Sequence, residues 1–244
     1  MVAAPLDLAI PDGDLVLLID GIWSILRGQR WVLYNQTLKP ASCNRAWFLD
    51  PCLRCGHERV SGWEATFATI PTAIVVRIKA VVSDGIPGIE RLVVSQGWLL
   101  QLCHRHLLKS LERRLGHPRR QRAIQQPGRG ILAAVREALV TADDVHAVRL
   151  CDEVLRLSRH PNCTLGLRYT AQYFVRQFQY YRTYLHYPEL ALPTTTSAVE
   201  SMHHQLRQTI STVNDPVSMK LRVTAYLRLR QTITCNPAIL QQKL

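Results

Sequence analysis

The sequence predicts an α/β fold in which a mixed sheet is flanked by helices and an all-helical segment is inserted before the helix that opens near residue 197. Two observations support this. Apolar runs that end in turn signals alternate with helical periodicity over residues 74–107, as expected for parallel strands joined by a helix. Residues 130–187 keep helical spacing without strand-like alternation. With 244 residues, 47% of them hydrophobic, the chain can bury a large core.

The first half of the chain predicts the sheet. In order, the predicted elements are strands at 15–20, 30–37 and 46–49, a helix near 62–70, a strand at 74–83, a short helix, and a fifth strand that ends before Cys103. Gly28 suits the turn between the first two strands. The strand that ends at Asp20 and the strand followed by Asp84 are expected to be neighbours in the sheet. These carboxylates would then meet at its carboxyl edge.

The second half of the chain predicts helices at 130–140, 143–159 and 167–187. The last of these contains tyrosines at helical spacing, namely Tyr169, Tyr173, Tyr180, Tyr184 and Tyr187. Two interpretations stay open for them, packing in the core and stacking on nucleic-acid bases. Pro193 breaks the pattern, and Thr196 or Ser197 is expected to cap a helix that carries Glu200. A final helix is predicted at 216–229.

The chain is strongly basic, with a formal net charge of +12 and an isoelectric point near 9.8. Such a charge favours a polyanionic partner, either nucleic acid or an anionic membrane surface. Basic residues dominate 104–130, namely Arg105, Lys109, Arg113, Arg114, Arg119, Arg120, Arg122 and Arg129. This run is interpreted either as a solvated helix face or as a surface that contacts phosphates.

The composition also indicates the cellular compartment. No apolar run reaches the roughly 18 to 20 residues that a membrane-spanning helix needs, and no targeting segment is visible. Seven irregularly spaced cysteines do not suit a secreted disulfide framework. We therefore expect reduced thiols and a cytoplasmic protein without a membrane partner.

Three of these cysteines lie close to a histidine. Cys52 and Cys55 form a Cys-x-x-Cys pair, His57 follows, and Cys43 is a candidate fourth ligand. Thiolates and imidazole are the ligands that Zn²⁺ prefers. A second pair is missing, so a loop of reduced thiols remains the other interpretation.

The acids Asp20, Asp84 and Glu200 are the candidate catalytic residues. Two aspartates at strand ends and a glutamate on a helix are the parts that a two-metal phosphoryl-transfer site requires. Asp84 precedes Gly85, and this pair alone would equally suit an ordinary turn.

From about residue 15 to 229, the sequence resembles the catalytic domain of Mutator-like insertion-sequence transposases. The matching features are the strand that ends in Asp20, the Ser-Asp-Gly motif at 83–85, the Cys-x-x-His motif of Cys103 and His106, and the helix opening at 196–201. Their order and spacing also match, with 64 positions from Asp20 to Asp84 and 116 from Asp84 to Glu200.

The resemblance implies an RNase H-like catalytic core at 15–107 and 193–230, with a helical insertion at 108–192. Residues 1–14 would be a short N-terminal segment, and 231–244 a C-terminal tail. The resemblance also implies that the protein is a DDE transposase, which cleaves and joins DNA. Asp20, Asp84 and Glu200 would hold Mg²⁺ or Mn²⁺.

The implied partners are the transposon ends and the target DNA, bound by a homo-oligomer associated with the nucleoid. His203, one turn beyond Glu200, and Arg207 and Gln208, two turns beyond it, are expected to face the DNA. Cys103 and His106 would be signature residues, a buried thiol beside a hydrogen-bonded imidazole rather than a metal site.

Full-length transposases of this type carry a DNA-binding region before the first catalytic strand, whereas 14 residues precede Leu15 here. The alternative function is therefore a truncated or repurposed copy that binds DNA without catalysis.

Overall fold

The computed structural model describes residues 10–115, 122–210 and 212–235. These residues form a seven-stranded mixed sheet flanked by helices. The strands are β1 (Leu15–Leu26), β2 (Gln29–Pro40), β3 (Arg45–Phe48), β4 (Cys52–Cys55), β5 (Ile78–Ser83), β6 (Leu99–Leu102) and β7 (Thr232–Thr234). Within the described ranges, no helix combines the length and the apolar character needed to cross a membrane.

The sheet is built around β1 and β2. They pair antiparallel over their whole length, and Arg27 and Gly28, both with positive φ, form the two-residue turn between them. The strand order is β6-β5-β1-β2-β3-β7, with β4 also paired to β2. Because β5 and β6 run parallel to β1, the carboxyl ends of all three point to the same edge.

Helices cover both faces of the sheet. They are α1 (Val60–Phe67), α2 (Thr72–Val75), α3 (Ile89–Ser95), α4 (His104–Leu115), α5 (Arg122–Val140), α6 (Asp144–Ser158), α7 (Leu165–Arg176), α8 (Phe178–Tyr181), α9 (Thr183–His186), α10 (Ser197–Ile210) and α11 (Pro216–Arg230). One apolar layer joins the sheet to α1 and α3–α8, and the other joins it to α10 and α11. Residues 15–19 are buried throughout, as expected for a central strand covered on both faces.

Several predicted boundaries were wrong. The first strand continues to Leu26 and does not end at Asp20. The strand predicted at 74–83 starts only at Ile78, because residues 72–75 form a helical turn. The helix predicted at 167–187 is divided into α7, α8 and α9, with φ of −102° at Gln177 and −113° at Arg182 separating them. The predicted C-terminal tail begins with β7, which pairs with β3.

Arg182 is a buried cation that joins the helices of the inserted segment. It is 2% exposed, and its Nη1 donates hydrogen bonds of 2.7 Å to the carbonyl oxygens of Ala138 and Thr141 at the end of α5. Its Nη2 donates to Asp144 at 2.7 Å. These bonds satisfy carbonyls that a helix end leaves without partners.

We expect Arg182→Met to destabilise the protein by about 2 kcal/mol, because the buried carbonyls lose their donors while the apolar volume is largely kept. Urea unfolding of the two proteins measures the difference. Arg159→Met is the control, because Arg159 is exposed and its replacement should change the free energy of unfolding by less than about 0.5 kcal/mol. Equal effects of the two substitutions would contradict this role of Arg182.

Candidate functional site

The parallel pairing of β1 with β5 brings two of the candidate carboxylates together. Leu18 pairs with Val82, so the same register places Asp20 beside Asp84, just past the end of β5. Alternation along β1 points Asp20 to the same face as the buried Val16 and Leu18, and this is the face that α10 covers. Glu200, in the first turn of α10, therefore lies on the same side of the sheet as Asp20.

The electrostatics of Asp20 show that these acids are close neighbours. Burial raises its pKa well above the ordinary value, and the charges of Asp84 and Glu200 raise it further, against the opposing charge of His106. Burial likewise raises the pKa of Asp84. Like charges oppose one another's ionisation, so a site of this kind favours a cation.

Glu58 is a fourth carboxylate at the site, which the sequence analysis missed. It lies between β4 and α1, and Trp63 Nε1 donates a 2.9 Å hydrogen bond to its Oε1. Burial, followed by the charge of Asp84, raises the pKa of Glu58 to about 7. A Cβ on Gly21 would lie 2.6 Å from Glu58 Oε2, so glycine at this position gives the carboxyl group room. A glycine inside a strand, next to Asp20, was the signal in the sequence.

The Cys-x-x-His pair contacts the helix that carries Glu200. Cys103 is 1% exposed and its Sγ accepts hydrogen bonds from the Thr196 amide at 3.3 Å and the Thr196 hydroxyl at 3.5 Å. Burial raises the pKa of the Cys103 thiol, but hydrogen bonds from His106 and Thr196 outweigh it and lower the pKa below the ordinary value. On the other side of the ring, His106 Nε2 lies 3.2 Å from Glu200 Oε1. His106 thus joins the thiol to the carboxylate.

His106 is positively charged at neutral pH. Burial lowers its pKa, but the hydrogen bond to Cys103 and the charges of Cys103, Asp84 and Asp20 outweigh burial and raise the pKa to about 9. The contact with Glu200 is an ion pair without good hydrogen-bond alignment, so Glu200 Oε1 is buried without a hydrogen bond among the described residues. The other oxygen, Oε2, lies 3.2 Å from Arg105 Nε.

His203 does not face DNA, contrary to the prediction. It is 6% exposed, and its Nδ1 lies 3.3 Å from Asp20 Oδ2. The Asn35 amide nitrogen lies 3.1 Å from the other ring nitrogen, Nε2. Burial and the charge of Arg207 lower the pKa of His203 to about 3, so the ring is neutral. The neutral ring accepts from Asn35 through Nε2 and lies against Asp20 through Nδ1, so it limits the positions that this carboxyl group can take.

A groove of about 950 Å³ extends from Asp84 along the predicted basic surface. Lys109, Arg113, Arg114 and Arg207 line it together with Asp84 and His106. Arg105 instead pairs with Glu200 and donates to Ser197 Oγ at 3.1 Å. Arg119 and Arg120 lie outside the described residues, as does the side chain of Arg122. Of the described residues in the basic run, Lys109, Arg113 and Arg114 therefore line this groove.

The candidate zinc ligands are not brought together. Cys52 and Cys55 are the ends of β4, and residues three apart in a strand point to opposite faces. His57 Nδ1 lies 2.9 Å from Arg30 Nη1, and Cys43 Sγ accepts from the Arg45 amide. In the part of the chain that the structure describes, no three His, Cys, Asp or Glu side chains are arranged to hold a metal ion. The zinc hypothesis gains no support from this geometry.

The acidic site fits a hard divalent cation by its donor chemistry. Its ligands would be carboxylate oxygens alone, which suit Mg²⁺ or Mn²⁺. Among the described residues, however, Asp20, Asp84 and Glu200 are no more arranged to hold a metal ion together than the candidate zinc ligands are. The oxygens of Glu200 lie against Arg105 and His106. Its side chain would have to leave these partners to reach a cation beside Asp20.

We compared the sequence with models of known protein families and with curated proteins. No family model matches the chain, and no curated protein matches it.

Proposed function

We propose that this chain is the RNase H-like catalytic core of a DDE-type transposase, which cleaves and joins DNA strands with Mg²⁺ or Mn²⁺. The observation that carries the proposal is the placement of Asp20 beside Asp84 in the parallel register, with Glu200 on the same side of the sheet as Asp20 and a basic groove that Asp84 lines. A divalent cation bound there would activate the attacking oxygen and stabilise the leaving oxygen. The proposal includes a homo-oligomer on transposon-end and target DNA and a nucleoid-associated location in the cytoplasm.

Within this proposal, the residues of the chain have separate tasks. Asp20, Asp84 and Glu200 would hold the cation, while His203 and Asn35 fix the orientation of Asp20. The basic side chains of the groove would bind the phosphates of a strand and direct it toward Asp84.

One observation favours a second candidate function, a non-catalytic DNA-binding remnant. The carboxylate of Glu200 is paired with two cations of the chain itself, Arg105 and His106. If these pairs persist when DNA is bound, the basic groove would still bind DNA although the site could not assemble.

Nicking of an end-labelled duplex distinguishes the two functions. We expect nicking in Mg²⁺ or Mn²⁺ and none in EDTA, with DNA binding measured on the same preparation. Binding without nicking in either metal would reject the catalytic function and favour the remnant.

The fourth carboxylate gives a separate prediction on metal affinity. We expect Glu58→Gln to weaken Mn²⁺ binding by about tenfold, because the amide keeps the hydrogen-bonded shape and removes one negative charge beside Asp84. Isothermal titration with MnCl₂ in the absence of DNA measures the affinity. Glu64→Gln on α1 is the control, because Glu64 is exposed. Equal affinities of wild type and Glu58→Gln would remove Glu58 from the site.

A further inference from the structure

The groove contains an exposed tryptophan that the proposed chemistry does not use. Trp23 lies on β1, three residues beyond Asp20, and 58% of its side chain is exposed. It lines the groove together with Asp84 and His106. An exposed tryptophan is unusual because its large apolar surface stays in water.

The Trp23 ring is held in place from one side. The guanidinium carbon of Arg30 lies 5.3 Å from the ring centroid, and Arg30 Nη1 lies 2.9 Å from His57 Nδ1. A cation over an aromatic face stabilises the ring in that position. The tryptophan is thus an exposed flat surface in the lining of the groove, with a cation near one of its faces.

The other lining residues match a nucleic-acid strand. Tyr169 on α7 is 65% exposed and faces the groove, and the basic side chains are those of Lys109, Arg113, Arg114, Arg176 and Arg207. Among the described lining residues, Asp84 is the single acid. Tyr181 also lines the groove but is 2% exposed, and Tyr173 is half-buried with its hydroxyl donating a 3.0 Å hydrogen bond to the Gly85 carbonyl oxygen. Trp23 and Tyr169 are therefore the aromatic surfaces available to a strand.

The aromatic side chains select the form of the DNA. Basic residues contact phosphates in paired and unpaired DNA alike. In the interior of a duplex, however, the faces of the bases are covered by their neighbours, so an aromatic ring stacks there only after unstacking a base step, whereas the bases of a single strand are open to it. Grooves that combine basic residues with exposed aromatics are typical of proteins that bind single strands.

We propose that this groove binds an unpaired segment of DNA, with one base stacked on Trp23 and its phosphates contacted by the basic wall beside Asp84. The inference rests on the proposed function, because it names the form of DNA that the same site takes. It places the unpaired base in the groove that Asp84 lines, so the strand would pass the proposed catalytic site.

The test compares two DNA probes in EDTA, so that nothing is cleaved. The probes are a fluorescein-labelled oligo-dT strand and a blunt duplex of equal length, and fluorescence anisotropy at fixed salt gives each affinity. We expect Trp23→Ala to weaken binding of the single strand about tenfold and binding of the duplex less than about twofold. Trp23→Phe should restore most of the loss. Trp31→Ala is the matched control, because Trp31 is half-buried and lies outside the groove lining.

Equal weakening for both probes, or unchanged binding of the single strand by Trp23→Ala, would overturn the proposal. A second readout does not depend on the alanine variant. The intrinsic fluorescence of the wild type should be quenched by oligo-dT, and Trp23→Phe should lose most of that quenching. Unchanged quenching in Trp23→Phe would also overturn it.

The outcome is separable from that of the nicking assay. Binding of the single strand that depends on Trp23, without nicking in Mg²⁺ or Mn²⁺, would reject the catalytic function and leave the base-stacking site. Nicking in Mg²⁺ or Mn²⁺, without any effect of the Trp23 substitutions on binding of the single strand, would support the catalytic function and reject the base-stacking site.

Discussion

Asp84→Asn is expected to lower metal-dependent nicking by about a thousandfold while DNA binding stays the same or becomes slightly tighter. Asparagine keeps the shape of the side chain but removes a charged ligand from the end of β5, where Asp20 is the nearest neighbour in the parallel register. Loss of a negative charge beside the basic groove also reduces repulsion of phosphates. Nicking and filter binding of a labelled duplex are measured on the same preparations.

Asp152→Asn is the matched control for this substitution. Asp152 is exposed on α6, so this substitution makes the same chemical change away from the site. It should leave the rate of nicking within about twofold of that of the wild type. Equal nicking by wild type and Asp84→Asn would show that Asp84 is an ordinary turn residue and would reject the site.

The second large effect is on stability in acid and concerns His104. This residue is 1% exposed, and its Nε2 lies 2.7 Å from the carbonyl oxygen of Tyr181, so the neutral ring donates there. Burial lowers the pKa of His104 from 6.5 to about 4. The unfolded chain takes up this proton as the pH falls through 6.5, and the folded chain does so only near pH 4. The stability that the neutral ring provides is therefore complete above 6.5 and is lost as the pH falls from 6.5 to 4.

We expect the advantage of the wild type over His104→Gln, in free energy of unfolding, to shrink by about 3 kcal/mol between pH 7 and pH 4. Glutamine can donate to Tyr181 but does not titrate. The difference between the two proteins is the informative quantity, because the raised pKa values of Asp20 and Glu58 change stability in the opposite sense in both. Urea unfolding of both proteins at a series of pH values measures this difference in free energy of unfolding. A difference that does not change with pH would show that His104 is not buried as a neutral ring.

The sequence predicted the elements whose patterns are local. The strands around 15–20 and 30–37, the turn at Gly28 and the helix that carries Glu200 all show their period or turn residues directly. The order of these elements also predicted that Asp20 and Asp84 would be neighbours, because parallel strands place their carboxyl ends at one edge.

The features that were missed depend on contacts between distant parts of the chain. Asp20-Gly21 looks like a strand end, yet β1 continues because it pairs with β2 along its full length. The Cys52–Cys55 segment looks like a metal knuckle, but it adds to the edge of β2 as a strand. The single helix predicted from the tyrosine pattern ends at Arg176, and Arg182 turns back to the carbonyls of α5.

The sequence pattern at 196–201 predicted Glu200 as a site residue, but it did not predict that Arg105 and His106 pair with its carboxylate. Nothing in the spacing of Cys103 and His106 indicates that the imidazole pairs with Glu200, since that contact requires α4 and α10 to meet. His203 was placed on the DNA side because helical spacing alone gives the turn but not the face that the sheet covers. Its burial against Asp20 follows from the packing of α10 on the sheet.

The helix that supplies Glu200 also covers one apolar face of the sheet. Val199, Met202 and Leu206 of α10 pack into the layer that covers β1 and β5, so a chain without this helix would expose that layer to water. Exposed apolar surface is what chaperones and proteases recognise. A chain that is broken before α10 would therefore be a substrate for degradation rather than a stable fragment.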